Sequence, residues 1–167
     1  MPDEAQSPAP PTPLAGLVIT LIGVVGFAGW IALGLTLLGI TSFFASFLFF
    51  WYWAAVEQAD MKQWPQSVLG AFVGLGLAWQ SHWLPAQFGT PGLIAGLVVI
   101  VVALYIQIVN WVPIAINRSA MLFLTVLAAP ILLEKLDPLE MAKAIGLGAL
   151  YFGVIVKVLT MLSAPKT

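Results

Sequence analysis

The sequence predicts an all-α, polytopic transmembrane bundle of about six spans, and three observations carry that prediction. Hydrophobic residues make up 61% of the 167-residue chain and glycine adds another 15, while only 8% of residues are charged. A soluble domain carries roughly 25% charged residues and has too little interior to hide this much apolar surface. The apolar residues also fall in long runs, broken by Pro, Gly and short polar clusters. Finally, six spans of ~20 residues would occupy ~120 positions, about the combined share of hydrophobic residues and glycine.

The elements follow from the breaks. Residues 1–13 are rich in proline and small polar residues and carry Asp3 and Glu4, so they read as a disordered tail ahead of the membrane domain at 14–163. No Lys or Arg precedes the first apolar run, so the start lacks the pattern of a secretory signal. Helices are expected at about 14–39, 41–56, 66–84, 92–112, 119–133 and 139–163, leaving 164–167 as a short C-terminal tail. The polar stretch 57–65 separates the second from the third, and Gly89 with Pro91 marks a turn within 85–91. Pro113 and the pair Asn117-Arg118 close the fourth helix, while Pro130 interrupts the fifth. The second and fifth are short for a hydrocarbon core of ~30 Å.

Charge fixes a side. Lys62, Arg118, Lys157 and Lys166 fall on the side of the termini, against Lys135 and Lys143 opposite, which favours cytoplasmic termini. Trp51, Tyr52, Trp53, Trp64 and Trp111 gather at one interface and Trp79 and Trp83 at the other, the pattern of interfacial anchoring.

A shift of roughly eighty residues superimposes two short stretches, one in the first and one in the third helix of each half. Leu14-Ala15-Gly16-Leu17-Val18-Ile19 faces Ile94-Ala95-Gly96-Leu97-Val98-Val99, and Leu69-Gly70-Ala71-Phe72-Val73-Gly74 faces the segment from Leu147 to Gly153. Three helices per half make the repeat inverted, and its paired short helices then point to a solute site near the midplane. Ser42, Ser46 and Thr125 are the polar groups on offer there, as path liners or as residues bonding their own backbone. Gly70 with Gly74, Gly92 with Gly96, and Ala149 with Gly153 are small-residue pairs suited to close helix packing.

Polar residues in the spans are few. Gln107 and Asn110 are placed on one face of the fourth helix, as solute-path liners or as interhelical ties. Gln80 and His82, between Trp79 and Trp83, suit a pore mouth, a ligand position or headgroup contact. Glu57, Asp60, Glu134, Asp137 and Glu140 read as loop and helix-end charges, with Asp137 and Pro138 suiting a helix start.

Much is excluded by what is missing. There is no cysteine, hence no disulfide or thiolate site, and a net charge of −1 leaves no basic surface for nucleic acid. No catalytic constellation, metal-ligand spacing or phosphate-binding loop occurs, so neither enzyme activity nor a cofactor is expected. The expected partner is the lipid bilayer, with a homo-oligomer or a larger membrane complex as further possibilities. The expected activity is a passive channel or permease for a small neutral or weakly polar solute. The alternative is a structural or accessory subunit, pigment-associated or not, of a larger membrane assembly.

Three stretches carry a resemblance: Gly26-Phe27-Ala28-Gly29-Trp30-Ile31-Ala32-Leu33-Gly34-Leu35, the run from Gly96 through Gln107 to Val112-Pro113, and Leu147-Gly148-Ala149-Leu150-Tyr151-Phe152-Gly153. The chain in this respect resembles small bacterial inner-membrane proteins catalogued as domain-of-unknown-function family ten-ninety-seven. The resemblance implies a bundle of about six helices in the bacterial inner membrane and brings no functional residues with it.

Overall fold

The computed structural model describes residues 12–129, 132 and 137–163, and every regular element among them is helical. The tail through residue 11, Pro130, Glu134, Lys135 and the C-terminal tail 164–167 lie outside the described residues.

The first unit of the chain, through Gly39, contains helix α1, Pro13–Thr36. Pro13 opens this helix rather than ending the tail, because proline's fixed φ and missing N–H suit a first helical turn. Thr12 caps it, its hydroxyl accepting from the Ala15 N–H at 3.4 Å. Leu14, Leu17, Ile19, Leu21, Val24 and Val25 are all exposed, so apolar side chains point out around the helix. That all-round pattern belongs to a lipid-facing helix rather than to an amphipathic one.

The second unit, from Ile40 on, holds α2 (Phe44–Ala55), α3 (Trp64–Phe88), α4 (Thr90–Ile108), α5 (Arg118–Leu127) and α6 (Pro138–Ser163). Among the described residues three helices, α1, α4 and α6, are long and apolar enough to cross a membrane. Helix α3 has the length, at 25 residues, but glycine, tryptophan and glutamine dilute its apolar character. Helices α2 and α5, of 12 and 10 residues, rise only about 18 and 15 Å.

Helix ends depart from the sequence expectation for local reasons. Helix α3 runs through Pro85 and stops at Gly89, whose φ of +61° suits glycine and whose N–H reaches the Pro85 carbonyl at 2.8 Å. The expected turn at 85–91 thus shrinks to that glycine, with Pro91 in the first turn of α4. Helix α4 stops at Ile108 instead of 112. Asn110 adopts a left-handed conformation (φ +54°), so its N–H bonds the Gln107 carbonyl at 3.1 Å and the Trp111 N–H bonds the Ile106 carbonyl at 3.1 Å. These are the paired bonds of a Schellman cap, with asparagine tolerating the position that glycine usually fills. Asn110 is therefore a cap residue and not a helix-face neighbour of Gln107. Helix α5 ends at Leu127, six residues early, ahead of Pro130, since proline disfavours helical backbone at the residue before it. At the start of α6, Asp137 Oδ1 accepts from the Leu139 N–H at 2.9 Å and the Glu140 N–H at 3.3 Å, the expected cap.

Packing centres on α3, which contacts α2, α4, α5 and α6. It runs antiparallel to α4, where Gly92 approaches Leu84 and Gly96 approaches Gln80 and Ser81. Against α6 it is also antiparallel: the Trp64 indole donates to the Ala149 carbonyl at 3.2 Å and stacks over Gly153, while Phe72 meets Gly146. With α5 it runs parallel, Gly70 receiving Asn117 and Gly74 receiving Ala120 and Phe123. Each glycine pair thus lets two backbones within this unit approach closely.

The two short helices dock alike. Helix α5 lies along α3 from its first turn, where Asn117 Nδ2 donates to the Gln66 carbonyl at 2.8 Å and the buried Ser119 hydroxyl to the Ser67 carbonyl at 2.7 Å. Helix α2 lies along α6 in the same sense. Thr41 donates to Glu140 Oε2 in the first turn of α6, through both its N–H and its hydroxyl at 3.3 Å, and the Phe50 and Phe152 rings meet at 4.3 Å.

The aromatic belt is only partly a belt. Trp53 is fully buried and donates to the Asp60 carbonyl at 3.0 Å, Tyr52 is buried, and Trp64 is engaged with α6. These three are packing residues rather than anchors, because each polar tip finds a protein partner inside the bundle. Trp51, Trp79, Trp83 and Trp111 remain on the surface, Trp111 being 74% exposed.

Candidate functional site

At the N-terminal end of α3, residues of α2, α3, α4, α5 and the loops after α2 and α4 line an open cavity of about 380 Å³. Its wall comprises Tyr52 of α2, Glu57 and Gln63 of the following loop, Gln66 and Ser67 of α3, Gln107 of α4, Asn110 and Pro113 of the next loop, then Ile116, Asn117 and Arg118. Five carboxamides thus face one space. That density of amides is unusual in a chain with only 8% charged residues and 61% hydrophobic ones.

Local structure puts each group there. The Schellman cap of α4 turns Asn110 into the wall. Asn117 caps α5, its Oδ1 accepting from the Ala120 N–H at 3.2 Å, while its Nδ2 donates to the Gln66 carbonyl and to Pro113 and Ile114. It is held from both ends, and a Cβ at Gly70 would collide with it. From α2, Tyr52 donates its phenol to Glu57 Oε1 at 2.5 Å. Gln58 and Ala59, next in the chain, both have left-handed backbone (φ +54° and +53°). Among the described residues, the three non-glycine residues with positive φ therefore lie in the two loops bordering the cavity. For alanine such a conformation costs about 1 kcal/mol or more, and strain of this kind concentrates at functional sites.

Glu57 and Arg118 are the two charged side chains of the wall. They form no ion pair with each other, and Arg118 has no hydrogen-bonded or ion-paired partner among the described residues. Glu57 follows the C-terminus of α2 and Arg118 opens α5. Each charge thus stands at the helix end whose partial charge has its own sign, the reverse of the usual stabilising placement.

Of the residues singled out in the sequence, Gln107 and Asn110 meet in this cavity. Ser42, half-buried ahead of α2, is not among its lining residues. Ser46 is buried and donates to the Phe43 carbonyl at 2.7 Å, and Thr125 donates to the Met121 carbonyl at 2.7 Å. Both hydroxyls are satisfied by their own helix or its approach. Gln80 bridges α3 and α4, donating to the Gly96 carbonyl at 3.3 Å, with its Oε1 buried and unpartnered among the described residues. His82 is exposed beside the Trp79–Trp83 stack, whose centroids lie 5.6 Å apart. Among the described residues no group of His, Asp and Glu has the arrangement of a metal site.

Sequence reasoning missed Tyr52, Glu57, Gln63, Gln66, Asn117 and Arg118 as cavity residues. One signal was available: alternating spans bring the 57–66 and 107–118 segments to the same side, and those segments hold six of the chain's amides in polar clusters. No protein-family model matches the chain, and no curated protein or solved structure matches it either.

Proposed function

We propose that this chain is a multi-pass membrane protein whose amide-lined cavity is the vestibule of a passive path for a small, net-neutral polar solute. The observation that carries the reading is the convergence of Gln63, Gln66, Gln107, Asn110 and Asn117 on one cavity of about 380 Å³. Carboxamides both donate and accept, so they replace the hydration of a neutral polar solute without demanding a counter-charge. The volume falls within the ~300–1,000 Å³ typical of small-molecule sites.

In this reading α1, α3, α4 and α6 cross the bilayer, and α2 and α5 reach part of the way. The like docking of α2 on α6 and of α5 on α3 supports an inverted three-plus-three repeat, in which the two short helices are counterparts. Lys62 and Arg118 border the cavity end, which the positive-inside rule assigns to the cytoplasm of a bacterial inner membrane. The resemblance to small inner-membrane proteins belongs to the same reading.

Proteoliposome swelling tests it. Vesicles containing the protein should admit acetamide or urea faster than empty vesicles, and Gln107→Leu should reduce the excess rate at least severalfold. Rates equal to those of empty vesicles, with the protein inserted and folded, would overturn the proposal.

A further inference from the structure

We infer that the cavity selects a zwitterion, a small solute with a separate ammonium and carboxylate, with Glu57 receiving the cationic end and Arg118 the anionic end. The inference rests on the vestibule reading above and narrows it to a substrate class.

Two charges in the cavity do not neutralise each other. Glu57 and Arg118 line the same cavity yet form no ion pair, although pairing would relieve both. Glu57 is held instead by the Tyr52 phenol at 2.5 Å, which fixes one carboxylate oxygen. Arg118 opens α5, on the residue after Asn117, whose four hydrogen bonds lock the start of that helix. Tyr52 and Asn117 thus fix the surroundings of the two charges, which face one cavity without pairing.

Helix ends strengthen each pole. The carbonyl end of α2 adds negative potential beside Glu57, and the N–H end of α5 adds positive potential beside Arg118. Both placements work against helix stability, and such departures from local preference concentrate where function requires them. The result is a cavity with a net charge of zero and a fixed internal dipole. A solute carrying one charge satisfies one pole and leaves the other unpaired. A neutral amide satisfies neither fully. A zwitterion satisfies both, while the amides of Gln107 and Asn110 remain for its polar middle.

Binding to the purified full-length chain in detergent tests this, read as the ligand-induced shift in thermal unfolding. The probes are glycine, β-alanine and 4-aminobutyrate, which lengthen the charge separation stepwise, against acetamide, methylamine and acetate. At least one zwitterion should bind at least tenfold more tightly than all three controls. Arg118→Gln should reduce its affinity to that of methylamine, and Glu57→Gln to that of acetate. Zwitterions binding no better than acetamide would overturn the inference and leave the vestibule reading standing. If none of the six probes binds and vesicles show no solute flux, both readings fall. The unmodified protein decides the first comparison, so a variant that fails to fold does not protect the idea.

Discussion

At the scale of single residues, some glycines leave room for a side chain and others leave none. A Cβ at Gly74 would meet the Ala120 carbonyl oxygen and lie 2.6 Å from Phe123 Cβ, contacts that include backbone and do not yield easily. Gly74→Ala should therefore cost about 1–3 kcal/mol, the range for overpacking a close interface. Gly76, two residues on, has nothing within 4 Å of a built Cβ. Gly76→Ala should be neutral or stabilise by up to ~1 kcal/mol, because alanine is the better helix former. Thermal unfolding of the two variants in one detergent checks the contrast, and equal shifts would contradict the packing described. Ser119→Ala, which removes a buried 2.7 Å bond to the Ser67 carbonyl, should cost about 1 kcal/mol in the same assay.

At the scale of elements, caps and breaks decide where helices stop. Asn110→Val should loosen the end of α4, because a β-branched side chain resists the left-handed backbone that closes the Schellman cap. The expected cost is about 1–2 kcal/mol, with Asn110→Gly close to the parent. Hydrogen exchange at the Asn110 and Trp111 amides would show the difference, and identical protection in both variants would contradict the assignment. Among the described residues, the order of the helices was legible in the sequence, because apolar runs with proline and glycine breaks mark them. That all of them span was not legible, since among those residues only α1, α4 and α6 are long and apolar enough to cross a membrane. The end of α4 was not, since Asn110 reads equally as a helix residue or as its cap. Gln107 and Asn110 stood out as amides in an apolar run. Tyr52, Glu57 and Asn117 did not, because their roles arise from contacts across the fold, such as Asn117 reaching Gln66 fifty-one positions away. Trp53 and Trp64 misled for a related reason: tryptophan at a span end predicts an interface, and only packing reveals its indole bonded inside.

At the scale of the whole molecule, the apolar surface and the polar cavity require each other's explanation. Leu93, Leu97, Val98, Val101 and Val102 leave α4 with an exposed apolar face, and Leu150, Val154 and Val158 do the same for α6. A contiguous surface of this kind needs lipid or protein over it. Val98→Lys, on the outer face of α4, should hinder membrane insertion by about 2.5–3.5 kcal/mol on the insertion scale. The share of protein in the membrane fraction measures this, and an unchanged share would contradict a lipid-facing α4. Against such a surface a cavity walled by amides and two charges that form no ion pair among the described residues is a costly feature to keep, and the proposed passage of a polar solute would account for it. Because the chain contains no cysteine, a single Asn110→Cys substitution creates a unique thiol at the cavity wall. Solute flux through vesicles carrying that variant, before and after modification with a methanethiosulfonate reagent, tests the central claim most directly. The account predicts flux above that of empty vesicles, falling to their level on modification and returning on reduction. Flux absent from the start, or unchanged when every thiol is modified, would contradict it.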